Sequence, residues 1–165
     1  MTFSLRRIDA GTSDFVALQA LHLRCADFIE ATTGHPPRDD EAARLLAGLP
    51  RGKTLADKQV LGVHRDNQMV GVVELLRGYP DATDWYIGLL LLSPDVRGGG
   101  LGTSLVDEIV RRVVVEGGRA LHLVVREDNA RAFAFWQRRG FEVVDRRVQD
   151  LGTKKNFVLK MVRPL

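Results

Sequence analysis

Apolar residues along the chain repeat with two periods, and the switches between them mark out a series of strands and helices. Residues 3–8 alternate apolar and polar side chains and predict an opening strand. Ser13-Asp14 then offers an N-cap, and Leu18, Leu21, Cys25, Phe28 and Ile29 recur at helical spacing, so one helix is expected to run to about Glu30 with these residues as its buried stripe. Gly34, Pro36 and Pro37 break the period. A second helix is expected over residues 39–49, with Ala42, Leu45, Leu46 and Leu49 inward and Pro50 as its stop.

Strand-like segments follow at 59–65, 69–77 and 85–92. The first two flank Asp66-Asn67, a turn pair that predicts an antiparallel hairpin. The third is apolar on both faces, as expected of a covered central strand. Residues 100–116 read as a helix with Leu101, Leu105, Ile109 and Val113 on one stripe, closed by Gly117-Gly118. A strand at 120–125 comes next, and strand, helix and strand in that order imply a parallel βαβ unit. A short helix at 129–139 ends at Gly140, and two last strands, at 141–149 and 154–161, flank a turn at 150–152. The expected architecture is a single α/β domain over residues 1–165. Its sheet is mixed and mostly antiparallel, with about seven strands, one parallel βαβ unit and about four flanking helices.

Composition narrows the class without naming it. A chain of 165 residues suits one domain, and 45% hydrophobic with 27% charged residues excludes a disordered polymer. The longest apolar run, 87–92, is far short of the ~20 residues that span a bilayer. Residues 1–9 hold Arg6 and Arg7 and no apolar secretory core, and one cysteine allows no internal disulfide, so a cytoplasmic protein is expected. Residues 126–165 carry ten Lys or Arg against five Asp or Glu. These charges come as singles and pairs without interleaved aromatics, so they read as a solvated face, and neither nucleic acid nor a membrane is expected as partner.

The stretch with most chemical content is 89–105, LLLLSPDVRGGGLGTSL, an apolar strand followed by an arginine, three glycines and a helix start. Free backbone N–H groups at the positive end of a helix suit a pyrophosphate. A dinucleotide fingerprint fails because the sixth position from Gly98 is Thr103, and no Gly-Lys-Ser/Thr ending supports a Walker loop. What fits is R-x-x-G-x-G, as Arg97, Gly100 and Gly102.

With that loop the chain resembles the GNAT superfamily of acyl-CoA-dependent N-acyltransferases. A second match lies downstream, where Asn129, Ala130, Ala132, Phe133, Phe135, Trp136, Gly140 and Phe141 resemble the family's N-x-x-A-x-x-F-Y-x-x-x-G-F segment. The resemblance implies transfer of the acetyl group of acetyl-CoA to a primary amine of a small molecule or peptide by direct attack in a ternary complex. It also implies a gap between the two parallel strands, where pantetheine pairs with the backbone of Leu90, Leu91 and Leu92. The amides of Gly98, Gly99, Gly100, Leu101, Gly102 and Thr103 would hold the pyrophosphate, with Arg97 lending charge. Asn129 reads as an N-cap, a cofactor contact, or both.

The catalytic positions do not carry over so directly. The position often filled by tyrosine is Trp136, whose indole N–H is no proton donor at neutral pH, so Trp136 is expected to pack on the cofactor or the core. Tyr79 and Tyr86 are the only tyrosines. Tyr86 is the better candidate acid, with a place in the acceptor-pocket wall as the plainer reading. Glu74 interrupts the apolar strand 70–76 and is the candidate base or amine anchor, against pairing with Arg77 or facing solvent on an edge. His122 reads as a structural histidine, His35 as a candidate acceptor-pocket residue, and Cys25 as inert core rather than nucleophile. The histidines and the cysteine lack metal-ligand spacing. Asp39, Asp40, Glu41, Glu74, Asp81 and Asp84 give an acidic bias compatible with a cationic amine, and either a monomer or a homodimer through sheet edges fits. The alternative function is a non-catalytic acyl-CoA-binding regulatory module of the same fold; a dinucleotide-binding enzyme ranks third.

Overall fold

In the computed structural model, which describes residues 2–165, the elements run β1 (Ser4–Arg7), α1 (Ser13–Arg24), α2 (Ala26–Thr33), α3 (Glu41–Ala47), β2 (Lys58–Arg65), β3 (Gln68–Arg77), β4 (Asp84–Leu92), α4 (Leu101–Val115), β5 (Ala120–Arg126), α5 (Ala130–Arg138), β6 (Glu142–Leu151) and β7 (Lys154–Pro164). Short 3-10 turns lie at Leu55–Asp57 and Pro94–Val96. The seven strands form one sheet in the order β1-β2-β3-β4-β5-β7-β6. Only β4 and β5 are parallel neighbours, joined by α4 as the expected crossover.

Local chemistry accounts for the joints. Asp66 and Asn67 both take positive φ, 48° and 63°, the backbone of the tight turn that folds β2 back on β3. The Gly118 N–H donates to Val113 O and the Gly117 N–H to Val114 O, closing α4 where two glycines predicted its end.

Both sheet faces are covered. On one, α4 and α5 bury Leu105, Val106, Ile109 and Trp136 against Trp85, Ile87, Leu121, Leu123 and Met161. On the other, Leu18, Leu21, Cys25 and Ala42 pack on Val60, Val72 and Leu91. Each fully buried aliphatic side chain contributes about 2 kcal/mol through removal of apolar surface from water.

The first long helix is two helices. A turn at Cys25 (φ −99°, ψ 27°) separates α1 from α2, which raises the count from about four helices to five. No proline or glycine causes the break. Tertiary bonds hold it: Arg24 Nη2 donates to Met69 O (2.9 Å) and Cys25 Sγ to Leu92 O (3.5 Å), pinning the joint to the ends of β3 and β4. Phe28 packs at the edge of the core, half-buried, and also lines a cleft. The N-cap of α1 is Thr12 without a side-chain bond, while Asp14, expected there, meets His64 Nε2 at 3.3 Å.

A bulge turns β4 over midway along its length. Glu74 pairs with Leu89 and Leu75 with Ile87, leaving Gly88 unpaired. The extra residue reverses the alternation. Trp85 and Ile87 face the α4 side before it, and Leu90 and Leu92 face that side after it.

Candidate functional site

Strands β4 and β5 pair only at Asp84 with Ala120, Trp85 with Leu121 and Tyr86 with His122. Beyond Tyr86 they splay, and β4 continues to Leu92 and β5 to Arg126 without pairing to each other. The splay leaves backbone N–H and C=O groups on facing strand edges, which an extended, amide-containing chain can satisfy as an added strand.

A cleft of about 750 Å³ opens at the splayed end. One wall holds Leu90, Leu91 and Leu92; the floor holds Arg97, Gly98, Gly100, Gly102 and Thr103; the opposite wall holds Asn129, Phe135 and Trp136. Helix α2 contributes Asp27, Phe28 and Ala31.

At the floor, Gly98 and Gly100 take φ of +83° and +87°, the left-handed region that disfavours any side chain. The bond from the Ser104 N–H to Gly100 O is the first of α4, so the N–H groups of Leu101, Gly102 and Thr103 remain at the open helix end. No carboxylate occupies that first turn. Such a donor set fits a pyrophosphate, since each N–H is preorganised and the helix end carries partial positive charge.

Of the residues expected at the cofactor, Leu90, Leu91, Leu92, Arg97, Gly98, Gly100, Gly102, Thr103, Asn129 and Trp136 line the cleft. Gly99 and Leu101 do not; the Leu101 side chain is core, 1% exposed, leaving its N–H as the group available to a ligand. The Asn129 side chain accepts from the Ala132 N–H (3.1 Å), so it caps α5 while lining the cleft. Trp136 meets Phe135 and Phe141 edge to face, at 5.0 and 5.2 Å, and serves core and cleft together. Arg97 does not reach freely into the cleft: its Nε donates to Leu92 O (2.8 Å) and its Nη1 meets Asp27 Oδ2 at 2.6 Å.

Several cleft residues escaped the sequence reading. Arg131 and Arg138, seven positions apart on α5, share one helix face, a spacing the sequence contains. Arg131 Nη2 lies 3.5 Å from where a Cβ on Gly98 would stand. Arg126 stacks over Phe28 at 5.7 Å and pairs with Asp128 at 3.0 Å. Asp27 and Phe28 gave no signal, because the turn that brings them over the cleft depends on contacts distant in sequence.

Glu74 and Tyr86 lie outside that cleft, beside the β4 bulge. Glu74 pairs with Lys58 (2.9 Å) and not with Arg77, which lies 3.7 Å from Glu116. Tyr86 packs on Tyr79 with ring centroids 5.4 Å apart, and burial pushes its hydroxyl pKa up, with Arg147 opposing. His122 Nε2 meets Asp84 Oδ2 at 2.8 Å. His35 is tied to Pro36 O (2.9 Å) and packs against Gly152 on the β6-β7 turn. The acidic residues do not converge: Asp40 pairs with Arg44, Glu41 accepts from the Arg38 N–H and Asp84 is held by His122. Cys25 is fully buried, and desolvation raises its thiol pKa against the opposing pull of Arg97. Among the described residues no helix is long and apolar enough to cross a membrane, and no three His, Cys, Asp or Glu side chains gather as a metal site.

Comparison with known proteins agrees with this geometry. An acetyltransferase of Thermus thermophilus superimposes with a TM-score of 0.80 at 26% identity, over 100% of this chain and 98% of that one. The PaiA N-acetyltransferase of Thermoplasma acidophilum, solved with coenzyme A, shares the fold with a TM-score of 0.69 at 20% identity, over the full length of both chains. An acetyltransferase of Pectobacterium atrosepticum is 31% identical over 61 residues, 37% of this chain and 41% of that protein. A mycothiol acetyltransferase of Brachybacterium faecium is 33% identical over 93 residues, 55% of this chain and 28% of its own length. The chain therefore spans less than half the length of these two relatives. The model of the acetyltransferase (GNAT) family matches residues 18–141, from α1 through the loop, the splayed strands and α5. With the fold, the loop and most of its length in agreement, the chain belongs to the GNAT family of acetyltransferases.

Proposed function

We propose that the protein transfers the acetyl group of acetyl-CoA to a primary amine of a small molecule or peptide, by direct attack within a ternary complex. The observation that carries this reading is the splay of β4 from β5 beyond Tyr86, ending at the open N-terminus of α4. The edges of the splay receive the pantetheine amides, and the N–H groups of Leu101, Gly102 and Thr103 receive the pyrophosphate, with Arg131 beside Gly98 and Arg138 on the same cleft.

The thioester carbonyl is placed at the β4 bulge, where backbone N–H groups near Leu90 stabilise the developing oxyanion. The amine nitrogen attacks the carbonyl carbon with its lone pair, the new C–N bond forms and the C–S bond breaks. Coenzyme A thiolate departs. The surplus proton on nitrogen passes by way of the Glu74 carboxylate to solvent or to the thiolate. A thiolate with an ordinary pKa of about 8.5 leaves without an obligatory acid. Tyr86, whose hydroxyl pKa is raised by burial, is the candidate donor by its place on the central strand and otherwise forms the acceptor-pocket wall. No covalent acyl-enzyme is required, since Cys25 is buried and donates to Leu92 O.

Trp136 favours a second reading, a non-catalytic acyl-CoA-binding module, because no ionisable group stands at that point of α5. An acetyl-CoA consumption screen against mixed amines separates the two. Coenzyme A release accelerated by one amine class, with the acetylated amine recovered, supports transfer. Slow release that no amine accelerates supports the module.

A further inference from the structure

Lys58 is a buried lysine, its side chain 3% exposed, in the first position of β2. Burying an ammonium is unfavourable unless its donors are matched. Here they are matched in full: Nζ donates to Leu45 O and Gly48 O at the end of α3, and meets Glu74 Oε1 at 2.9 Å. The same carboxylate lies against the bulge in β4. A Cβ built on Gly88 would stand 2.9 Å from both Cδ and Oε2 of Glu74, closer than real side chains pack.

We propose that Lys58 is a positioning residue for acetyl transfer, holding the Glu74 carboxylate over Gly88 so that Oε1 is occupied and Oε2 is left for the acceptor amine. The inference rests on the reading of Glu74 as base or amine anchor. Three pieces of the fold meet in this arrangement: the end of α3 fixes the ammonium, the ammonium fixes one carboxylate oxygen, and the bulge glycine gives the carboxylate room beside the splay. A misplaced acceptor amine slows the chemical step far more than it weakens cofactor binding. The Lys58 ammonium also takes the Leu45 carbonyl in the last turn of α3 and the Gly48 carbonyl just beyond it, groups that a helix end leaves without intrahelical partners.

The test is a cycle of Lys58→Met, Glu74→Gln and the double variant, with kcat, KM for the amine and acetyl-CoA affinity measured on each. Expected are a fall in kcat of about tenfold or more for each single variant, acetyl-CoA affinity within about twofold, and a double variant no slower than Glu74→Gln alone. Losses that multiply in the double variant, or a Lys58→Met enzyme with full kcat beside a slow Glu74→Gln enzyme, overturn the positioning role. An unchanged kcat in Glu74→Gln overturns the reading of Glu74 itself and the inference with it. Should Lys58→Met fail to fold, Gly88→Ala displaces the carboxylate while keeping the ammonium. A drop in kcat with acetyl-CoA affinity kept is then expected, and an unchanged kcat contradicts the proposal.

Discussion

The Arg97 guanidinium grips both oxygens of Asp27, Nη1 to Oδ2 at 2.6 Å and Nη2 to Oδ1 at 3.3 Å, joining the phosphate loop to the start of α2. Each partner favours the other's charge: the bond lowers the Asp27 carboxyl pKa and raises that of Arg97. A pyrophosphate in the loop must compete with that carboxylate for the same cation. Asp27→Asn is therefore expected to tighten acetyl-CoA binding a few-fold at low salt, about 1 kcal/mol or less because the carboxylate is 59% exposed. Weaker binding in the variant, measured by titration calorimetry, would mean that Arg97 serves the cofactor only while Asp27 holds it.

Gly100 sets the entry to α4 at φ +87°. Alanine there costs about 1 kcal/mol in backbone strain, or relaxes by moving the amides that face the cleft. Gly100→Ala is expected to lose about tenfold in acetyl-CoA affinity with a small drop in Tm. An unchanged affinity would remove the loop conformation from cofactor binding.

Cys25 separates direct transfer from a ping-pong route. Its thiol is buried and its pKa raised, so the native protein should resist alkylation at neutral pH while the unfolded chain reacts. Cys25→Ala should keep its transfer rate. A burst of coenzyme A from acetyl-CoA without acceptor, lost in Cys25→Ala, would be evidence for an acyl-enzyme.

Glu108 on α4 gives a pH-dependent contribution to stability remote from the cleft. Arg111 and Arg112 hold its carboxyl at about 2 in place of 4.5. A depressed folded-state value means stabilisation that is complete above pH ~4.5 and fades as the pH falls towards 2. Glu108→Gln is expected to lower Tm by about 3 °C at pH 7, with the difference shrinking in acid. A Tm difference that persists undiminished near pH 2 would show that packing, not charge, is lost.

The fold was legible wherever periodicity and turn residues agreed. Asp66-Asn67 and Gly117-Gly118 each marked a joint that the backbone adopts, and Arg97, Gly100 and Gly102 marked the cleft floor. The sequence hid what depends on distant contacts. The break at Cys25 follows from bonds to Met69 O and Leu92 O, the partner of Glu74 is sixteen residues earlier on a neighbouring strand, and the bulge at Gly88 lies inside an unbroken apolar run. None of these leaves a periodic trace, because each is decided by a neighbour distant in sequence.

Acetyl-CoA binding tests the reading of the β4-β5 splay most directly. Titration calorimetry with acetyl-CoA, and NAD as a control, is expected to give one site with a Kd of about micromolar order for acetyl-CoA and no heat with NAD. Absence of acetyl-CoA binding at about millimolar concentration, or binding of NAD in its place, would contradict it.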